Sequence, residues 1–318
     1  MNKIKVAVVG ARGYVGIELL QLLDNHPLTE VVAAFSRSLE GQAVHKIVIG
    51  FSDTNLYYRS QELTLLKDME LDVIFLALPN GIAAQQQKLW QYLSETTCII
   101  DLSSDFRFDT SWVYGQPETC EKHIINQSLI ANPGCYATAA QLGLLPMTNH
   151  IVGSPSIFGV SGYSGAGSKA NDNNNPKRLA HNIKAYKLID HIHEQEISYV
   201  LSTPVHFMPH VAEFFRGIHL TISLQLDVEL SLNEINTIYS QFYQSHKLIE
   251  VSTAIPEVQQ VQNTHKVLIG GCAIKAKHMV LCVCIDNLLK GAATQAIQNM
   301  NLAFSQKYDL TINSGIQL

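Results

Sequence analysis

Three stretches of this chain carry residue types that can do chemistry. In the first, Asn132-Pro133-Gly134-Cys135-Tyr136, a cysteine follows a proline and a glycine and precedes a helical pattern over residues 137–141. Pro133 fixes its own φ and disfavours helix at Asn132, and Gly134 permits a sharp turn, so Cys135 falls on the first turn of a helix. Unpaired N–H groups and the positive end of the helix dipole favour a thiolate at such a position, which makes Cys135 a candidate nucleophile. The competing reading of a free cysteine is a small buried hydrophobe.

The second stretch, His191-Ile192-His193-Glu194-Gln195-Glu196, sets two imidazoles and two carboxylates close together. An imidazole beside a thiol can activate it. The same histidines with His206 and His210 could gather around zinc, but no close Cys or His spacing supports a closed four-ligand site, and Pro209 interrupts a helical His206/His210 face. No metal is expected. The third stretch, Gly10-Ala11-Arg12-Gly13-Tyr14-Val15-Gly16, ends the apolar run of residues 3–10 with a G-x-x-G-x-x-G spacing. Glycines at a strand-to-helix turn let the backbone approach a pyrophosphate, whose charge rests on the helix N-terminus, so Gly10, Arg12, Gly13, Tyr14, Val15 and Gly16 are candidate nucleotide contacts.

The elements that must position these groups follow from the hydrophobic pattern. A second strand over residues 30–35 ends in Ser36-Arg37-Ser38, where a site preferring NAD places an acid for the ribose hydroxyls. The acid is missing. Arg37 with the serine hydroxyls suits a 2′-phosphate, which predicts NADP; a solvated surface arginine is the alternative. Residues 71–78 read as a buried strand ending at Pro79-Asn80-Gly81, followed by a helix over residues 82–93. Ligands of open α/β sheets bind beyond the carboxyl ends of the strands, which puts Ala77 and Asn80 near the cofactor, with Pro79 either a further candidate contact or only the stop of the strand. The strand over residues 98–102 exits through Asp101-Leu102-Ser103-Ser104-Asp105-Phe106-Arg107, where Arg107 either holds an anionic substrate or pairs with Asp105 or Asp109. Cys98 lies within that strand and reads as core. The alternation of strands and helices up to Cys135 specifies an α/β, Rossmann-type doubly wound nucleotide-binding domain.

Beyond Cys135 the pattern changes. A strand over residues 156–163 leads into a polar, glycine-rich loop up to residue 176, where Ser161, Ser164 and Lys169 could form an anion nest. Gly162-Tyr163-Ser164-Gly165-Ala166 misses the serine-hydrolase G-x-S-x-G run at its last residue. Residues 215–226 alternate as a strand, and residues 266–276 with 278–286 read as an antiparallel pair in which Cys282 and Cys284 share a face and pack. Ser231 and Glu234 form a capping box for a helix over residues 231–242, and a last helix spans residues 292–304. This second part is α+β, and its sheet could pair in a homo-oligomer.

The bulk composition narrows the function. A chain of 318 residues, 47% hydrophobic and 15% charged, has room for about two domains. A net charge of −5 with scattered basic residues argues against nucleic acid, so small molecules are the expected partners. Six cysteines without a C-x-x-C pair fit a reducing cytoplasm, and neither a signal peptide nor a membrane span is legible.

The stretches GARGYVG (10–16), LALPNG (76–81), DLSSDFR (101–107), NPGCY (132–136), SGYSGAGSKA (161–170), HIHEQEI (191–197), HVAEFFRGI (210–218) and NLLKGAATQAIQNMN (287–301) together resemble the N-acetyl-gamma-glutamyl-phosphate reductases, relatives of the aspartate-semialdehyde and glyceraldehyde-phosphate dehydrogenases. The likeness covers nearly the whole chain, with departures at Asn80 where His is common, Ser168 where Arg is common, Ile192 in place of Arg, and Thr294 in place of Gly. The resemblance implies an NADP-binding domain of residues 1–134 with 292–318 and a catalytic and oligomerisation domain of residues 135–291. It implies Cys135 as nucleophile and His191 as its acid/base partner. Arg107, Ser161, Gly162, His193, Glu196 and Arg216 would then bind substrate, and Asn287 would approach the nicotinamide. The implied activity is reductive dephosphorylation of N-acetyl-gamma-glutamyl phosphate by NADPH in arginine biosynthesis, by a cytoplasmic dimer or tetramer. Reduction of another acyl phosphate, aspartyl or aminoadipyl, is the nearest alternative. A catalytically silent NADP-binding regulator is the other, and its signature would be a missing nucleophile or acid/base.

Overall fold

A computed structural model of the chain describes residues 3–60 and 62–316, which divide into two units: residues 3–134 with 292–316, and residues 135–291. In the first, β1 (Ile4–Val9), β2 (Thr29–Phe35), β3 (Tyr58–Arg59), β4 (Val73–Leu76), β5 (Cys98–Asp101), β6 (Val113–Tyr114) and β7 (Leu129–Ala131) form a seven-stranded sheet in the order β3-β2-β1-β4-β5-β7-β6. All its pairings are parallel. β4 is buried at every position and β1 at all but Lys5, which is why both read as unbroken apolar runs. The helices are α1 (Tyr14–Asn25), α2 (Gln87–Leu93) and α3 (Pro117–Ile124), joined by the C-terminal helix Thr294–Tyr308, which packs on α1, α3 and β5. Strand order reverses between β1 and β4, and ligands of such sheets bind at the carboxyl ends beside this switch.

The helix expected over residues 82–93 is shorter. Residues Ala84–Gln86 form a 3-10 turn and α-helix starts only at Gln87. The carboxylate of Asp105 accepts the N–H groups of Gly81 and Ala84 at 2.6 and 2.9 Å, and the indole N–H of Trp90 donates to the Ala83 carbonyl at 2.8 Å. These bonds hold the segment as a turn.

The second unit holds α4 (Cys135–Leu144), β8 (Ile151–Gly162), α5 (Pro176–Leu179), β9 (Ile183–Ala185), α6 (Ile192–Leu201), β10 (His206–Ala212), β11 (Ile218–Leu226), α7 (Leu232–Phe242), β12 (Ile249–Val251), α8 (Val258–Val261), β13 (Val267–Lys275) and β14 (His278–Ile285). Its seven strands run β12-β13-β14-β11-β8-β10-β9, a mixed sheet with parallel β8/β10 and β12/β13 pairs and otherwise antiparallel neighbours. α4 is buried at every position after Cys135. Gly143 lets it lie on the sheet, since a Cβ there would meet Ile222 and Val283 at 2.8 Å. From α7, the hydroxyls of Tyr239 and Tyr243 donate to the Gly143 and Leu142 carbonyls at 2.6 and 2.5 Å, satisfying acceptors at the C-terminus of α4. The Ser231/Glu234 capping box starts α7 as the sequence specifies. The chain leaves this unit through a π-helical turn, Leu289–Ala293, ahead of the C-terminal helix, here α9 (Thr294–Tyr308).

Candidate active site

In the first unit the loops after β1, β2 and β4 converge. Gly10 has φ +85°, and a Cβ on it would lie 2.1 Å from the Ala77 carbonyl oxygen, so only glycine fits the turn. A Cβ on Gly16 would lie 2.5 Å from the Gly10 oxygen, which fixes the close approach of α1 to the loop. The N–H groups of Gly10 and Ala11 both donate to the Phe35 carbonyl, tying the loop to the end of β2, where Ser36 is buried and Arg37 exposed. Gly13 is the N-cap of α1 and brings no side chain to cap it, so the first turn, from Tyr14 through Val15, presents its dipole past Gly13. Arg12 and Pro79 are exposed beside this rim. Arg107 is buried and donates through Nε to the Asn132 carbonyl at 3.0 Å and through Nη2 to the Leu102 carbonyl at 3.3 Å, so it braces the turn that precedes Cys135. Asn132 is held further by its amide, which donates to the Ala292 carbonyl at 3.3 Å and accepts from Asn299 at 2.9 Å.

In the second unit, Cys135 is the first residue of α4. Gly291 packs directly on it, because a Cβ there would come within 2.8 Å of the Cys135 Cβ. Tyr136, only 2% exposed, donates its hydroxyl to the His210 carbonyl at 2.8 Å. Its ring lies 4.9 Å from Phe207, 5.8 Å from His193 and 6.4 Å from His191. The His191 ring lies 5.0 Å from His193 and 5.7 Å from Tyr186. Tyr186 hydrogen-bonds Tyr136, and burial together with the nearby Cys135 sulfur pushes both phenols above their usual pKa. The fold thus gathers Cys135, His191 and His193 around two tyrosines. His191 and Gln195, with Lys187, Asp190 and Ile192, also line a surface cavity of about 480 Å³.

His191 is the N-cap of α6, and its Nδ1 accepts the His193 backbone N–H at 3.1 Å. Burial first, and the Lys187 ammonium second, push its pKa down to about 4. Glu196 is buried one turn further along α6. Ser161 is buried, donates to the Gly162 carbonyl at 2.8 Å, and also reaches the Tyr136 hydroxyl. Gly162 admits no side chain, since a Cβ would lie 2.5 Å from the Phe215 oxygen.

Two residues occupy tighter surroundings than their sequence suggests. Arg216 forms a two-pronged pair with the fully buried Asp286, at 2.6 and 3.1 Å, and donates to Asn263 at 2.9 Å. Asn287 accepts the Gly217 N–H at 2.7 Å and donates to the Ser164 hydroxyl at 2.9 Å, so both ends of its amide hold backbone and side chain of the second unit. Sequence reasoning singled out neither Tyr186 nor Lys187 nor Asp286. Tyr186 and Asp286 meet Tyr136 and Arg216 through the tertiary fold, while Lys187 stands four residues before His191 with no motif to mark it. Four buried or half-buried thiols, Cys98, Cys272, Cys282 and Cys284, are poor nucleophiles: burial raises the pKa of each, to about 12 for Cys98 and Cys284 and about 11 for Cys272.

The family described as semialdehyde dehydrogenase, NAD binding domain, matches residues 5–127, and semialdehyde dehydrogenase, dimerisation domain, matches residues 135–287. The N-acetyl-gamma-glutamyl-phosphate reductase of Xanthomonas oryzae pv. oryzae is 45% identical over 300 residues, covering 94% of this chain and 95% of that protein. The chain belongs to the N-acetyl-gamma-glutamyl-phosphate reductase family. It also matches the bifunctional protein argC, mitochondrial, of Dictyostelium discoideum at 43% identity and protein arg-6, mitochondrial, of Neurospora crassa at 44%. The chain spans about a third of the length of these two relatives, 36% and 35%. Among solved structures, aspartate semialdehyde dehydrogenase II of Vibrio cholerae complexed with ASA superposes with a TM-score of 0.77 at 18% identity, covering 97% of this chain and all of that one. The Candida albicans aspartate semialdehyde dehydrogenase with NADP gives 0.74 at 15%, covering 96% of this chain and all of that one. At those identities the likeness is one of fold. The chain thus carries both domains of the semialdehyde dehydrogenase type, and no helix among the described residues is long and apolar enough to cross a membrane.

Proposed function

We propose that the protein reduces N-acetyl-gamma-glutamyl phosphate to the semialdehyde with release of phosphate, using NADPH, in arginine biosynthesis. The observation that carries this reading is the placement of Cys135 at the start of α4, in electrostatic contact with Tyr136 and Tyr186, whose rings lie against His191. A thiolate there attacks the acyl phosphate and forms a thioester, which accepts hydride far more readily than a carboxylate does. His191 meets the charge that develops on the acyl oxygen. Ser161, Gly162, His193 and Glu196 are the proposed substrate contacts. Arg107 and Arg216 are the proposed cations of the site, each held in orientation by its named partners.

Cofactor choice rests on the end of β2. Exposed Arg37 beside Ser36 and Ser38, with no acid among them, supports NADPH over NADH. The glycine loop from Gly10 to Gly16, with Ala77 and Pro79, holds the dinucleotide in this reading, and Asn287 is the proposed contact of the nicotinamide. The second unit pairs with another copy of the chain, in a reducing compartment that suits six free thiols, the cytoplasm.

Initial rates of NADPH oxidation with N-acetyl-gamma-glutamyl, aspartyl and aminoadipyl phosphates test the assignment. The N-acetylglutamyl compound is expected to give the highest kcat/KM. A preference for either other acyl phosphate refutes the substrate, and no turnover with any of them favours a silent nucleotide-binding regulator.

A further inference from the structure

We propose that His191 acts on the reacting carbonyl as a neutral hydrogen-bond donor through Nε2–H, and that its place as the N-cap of α6 fixes it in that tautomer. The proposal rests on the acyl-phosphate reductase reading above. It starts from one hydrogen bond. The backbone of His191 is extended, φ −66° and ψ 138°, and its ring Nδ1 accepts the His193 N–H at 3.1 Å. A ring nitrogen that accepts from an N–H carries no proton of its own, so the single proton of the neutral imidazole resides on Nε2. A second proton would have to enter at Nδ1, where it would face the His193 N–H and break the cap.

Neighbours from four segments enclose the ring. Tyr136 faces the ring from α4, Tyr186 from the segment ahead of α6, His193 from α6 itself, and the apolar Phe207 from β10. Lys187 and Asp190 share its cavity. Burial and the Lys187 ammonium push the His191 pKa down to about 4, and the positive end of the α6 dipole acts in the same sense. All three disfavour a charge on the ring.

The reaction needs such a donor more than it needs a base. The Cys135 thiolate forms a C–S bond to the acyl carbon, the carbon–oxygen bond to phosphate breaks, and the departing phosphate takes one proton from water. A bound NADPH would supply the hydride, an electron pair, that reduces the thioester carbon. The alkoxide that results re-forms the carbonyl, the C–S bond breaks, and the sulfur leaves with its electron pair as thiolate. Sulfur begins and ends each turnover without a proton, so no base has to remove one within the cycle. Negative charge does appear twice on the acyl oxygen, once in the adduct that expels phosphate and once in the thiohemiacetal. A fixed, neutral N–H steadies both without giving up its proton. This differs from the acid/base role that family resemblance assigns to His191.

Two substitutions separate the roles. His191→Asn offers an oxygen that can cap α6 but is too short to reach the position of Nε2, whereas His191→Gln places an amide N–H there and caps less well; neither titrates. The expected result is that His191→Gln stays within about tenfold of the wild-type kcat while His191→Asn loses about 10²- to 10³-fold. The wild-type kcat profile between pH 5.5 and 8 is expected to hold no limb that either substitution removes. Equal losses in the two variants, together with a wild-type acid limb that disappears in both, would overturn the proposal in favour of a general base. The tautomer is read without any variant by ¹⁵N NMR of the whole protein labelled at histidine and amide nitrogens, through the coupling across the His193 N–H···Nδ1 bond. A ring proton on Nε2 is expected, and a proton on Nδ1 overturns the proposal. Failure of the wild type to turn over any acyl phosphate would sink the substrate reading alone, because the tautomer is measured on the resting protein.

Discussion

Acidification should destabilise the second unit through His191 by an amount that can be worked out in advance. The ring is 8% exposed, and burial with Lys187 holds its pKa at about 4 against 6.5 for a free imidazole. A histidine whose pKa falls on folding binds more protons in the unfolded chain. Its stabilising contribution is therefore complete above pH 6.5 and is lost as the pH drops towards 4. The whole interval corresponds to about 3 kcal/mol, of which about 2 kcal/mol is lost between pH 7 and pH 5. Burial also lowers the pKa of His26, His219 and His265, which act in the same direction, so the wild type alone does not isolate one ring. His191→Asn keeps a capping oxygen and removes the titration. Urea unfolding of both proteins at the two pH values is the assay. The wild type is expected to lose about 2 kcal/mol more than the variant on moving to pH 5. Parallel losses would show that His191 is not held neutral by the fold.

The remaining predictions concern the chemistry and the frame. Cys135→Ser is expected to abolish NADPH oxidation while leaving NADPH binding, measured by fluorescence titration, unchanged; residual turnover above the uncatalysed rate would count against the covalent route. Arg37→Ala is expected to erode the preference for NADPH over NADH, and equal kcat/KM for both cofactors in the wild type would refute the reading of the β2 end. Asp286→Ala strips the buried partner from Arg216 and from the N–H groups of Leu288, Leu289 and Asn263, and is expected to cost about 3–5 kcal/mol. A Tm within error of wild type would contradict it. Light scattering at assay concentration is expected to give at least a dimer, and a monomer would remove the second unit's proposed role in assembly.

Local rules made much of the frame legible. The glycines of the first turn, the Ser231/Glu234 box and the antiparallel pair of β13 and β14 depend on residues close in sequence, and each stands where pattern and spacing put it. What escaped depends on partners far along the chain. The helix after β4 starts late because Asp105, more than twenty positions away, ties down Gly81 and Ala84. Arg216 reads as a free cation until Asp286 is found against it across 70 positions. His191 as an N-cap was hidden for another reason: serine, threonine, aspartate and asparagine are the usual caps, and a histidine ring in that place follows only from the backbone angle at which α6 begins. α9 shows the same limit, since nothing local marks its Asn299, which is buried against the Gly115 carbonyl and Asn132.

That last helix bears on how the protein is made. The parallel sheet of the first unit leaves the ribosome early, but α9, which packs on its β5 and on α1 and α3, follows the whole of the second unit. The second unit is one continuous segment and can condense during synthesis, while the nucleotide-binding sheet waits with one flank open until the segment beyond Gly291 arrives. A ribosome stalled or a message cut ahead of Asn299 would release a chain whose Cys135-bearing unit is complete and whose nucleotide-binding unit lacks the Asn299 amide that donates to Asn132. Chaperone capture and proteolytic clearance of nascent chains are then expected to act on the first unit, which is begun before the second and finished after it.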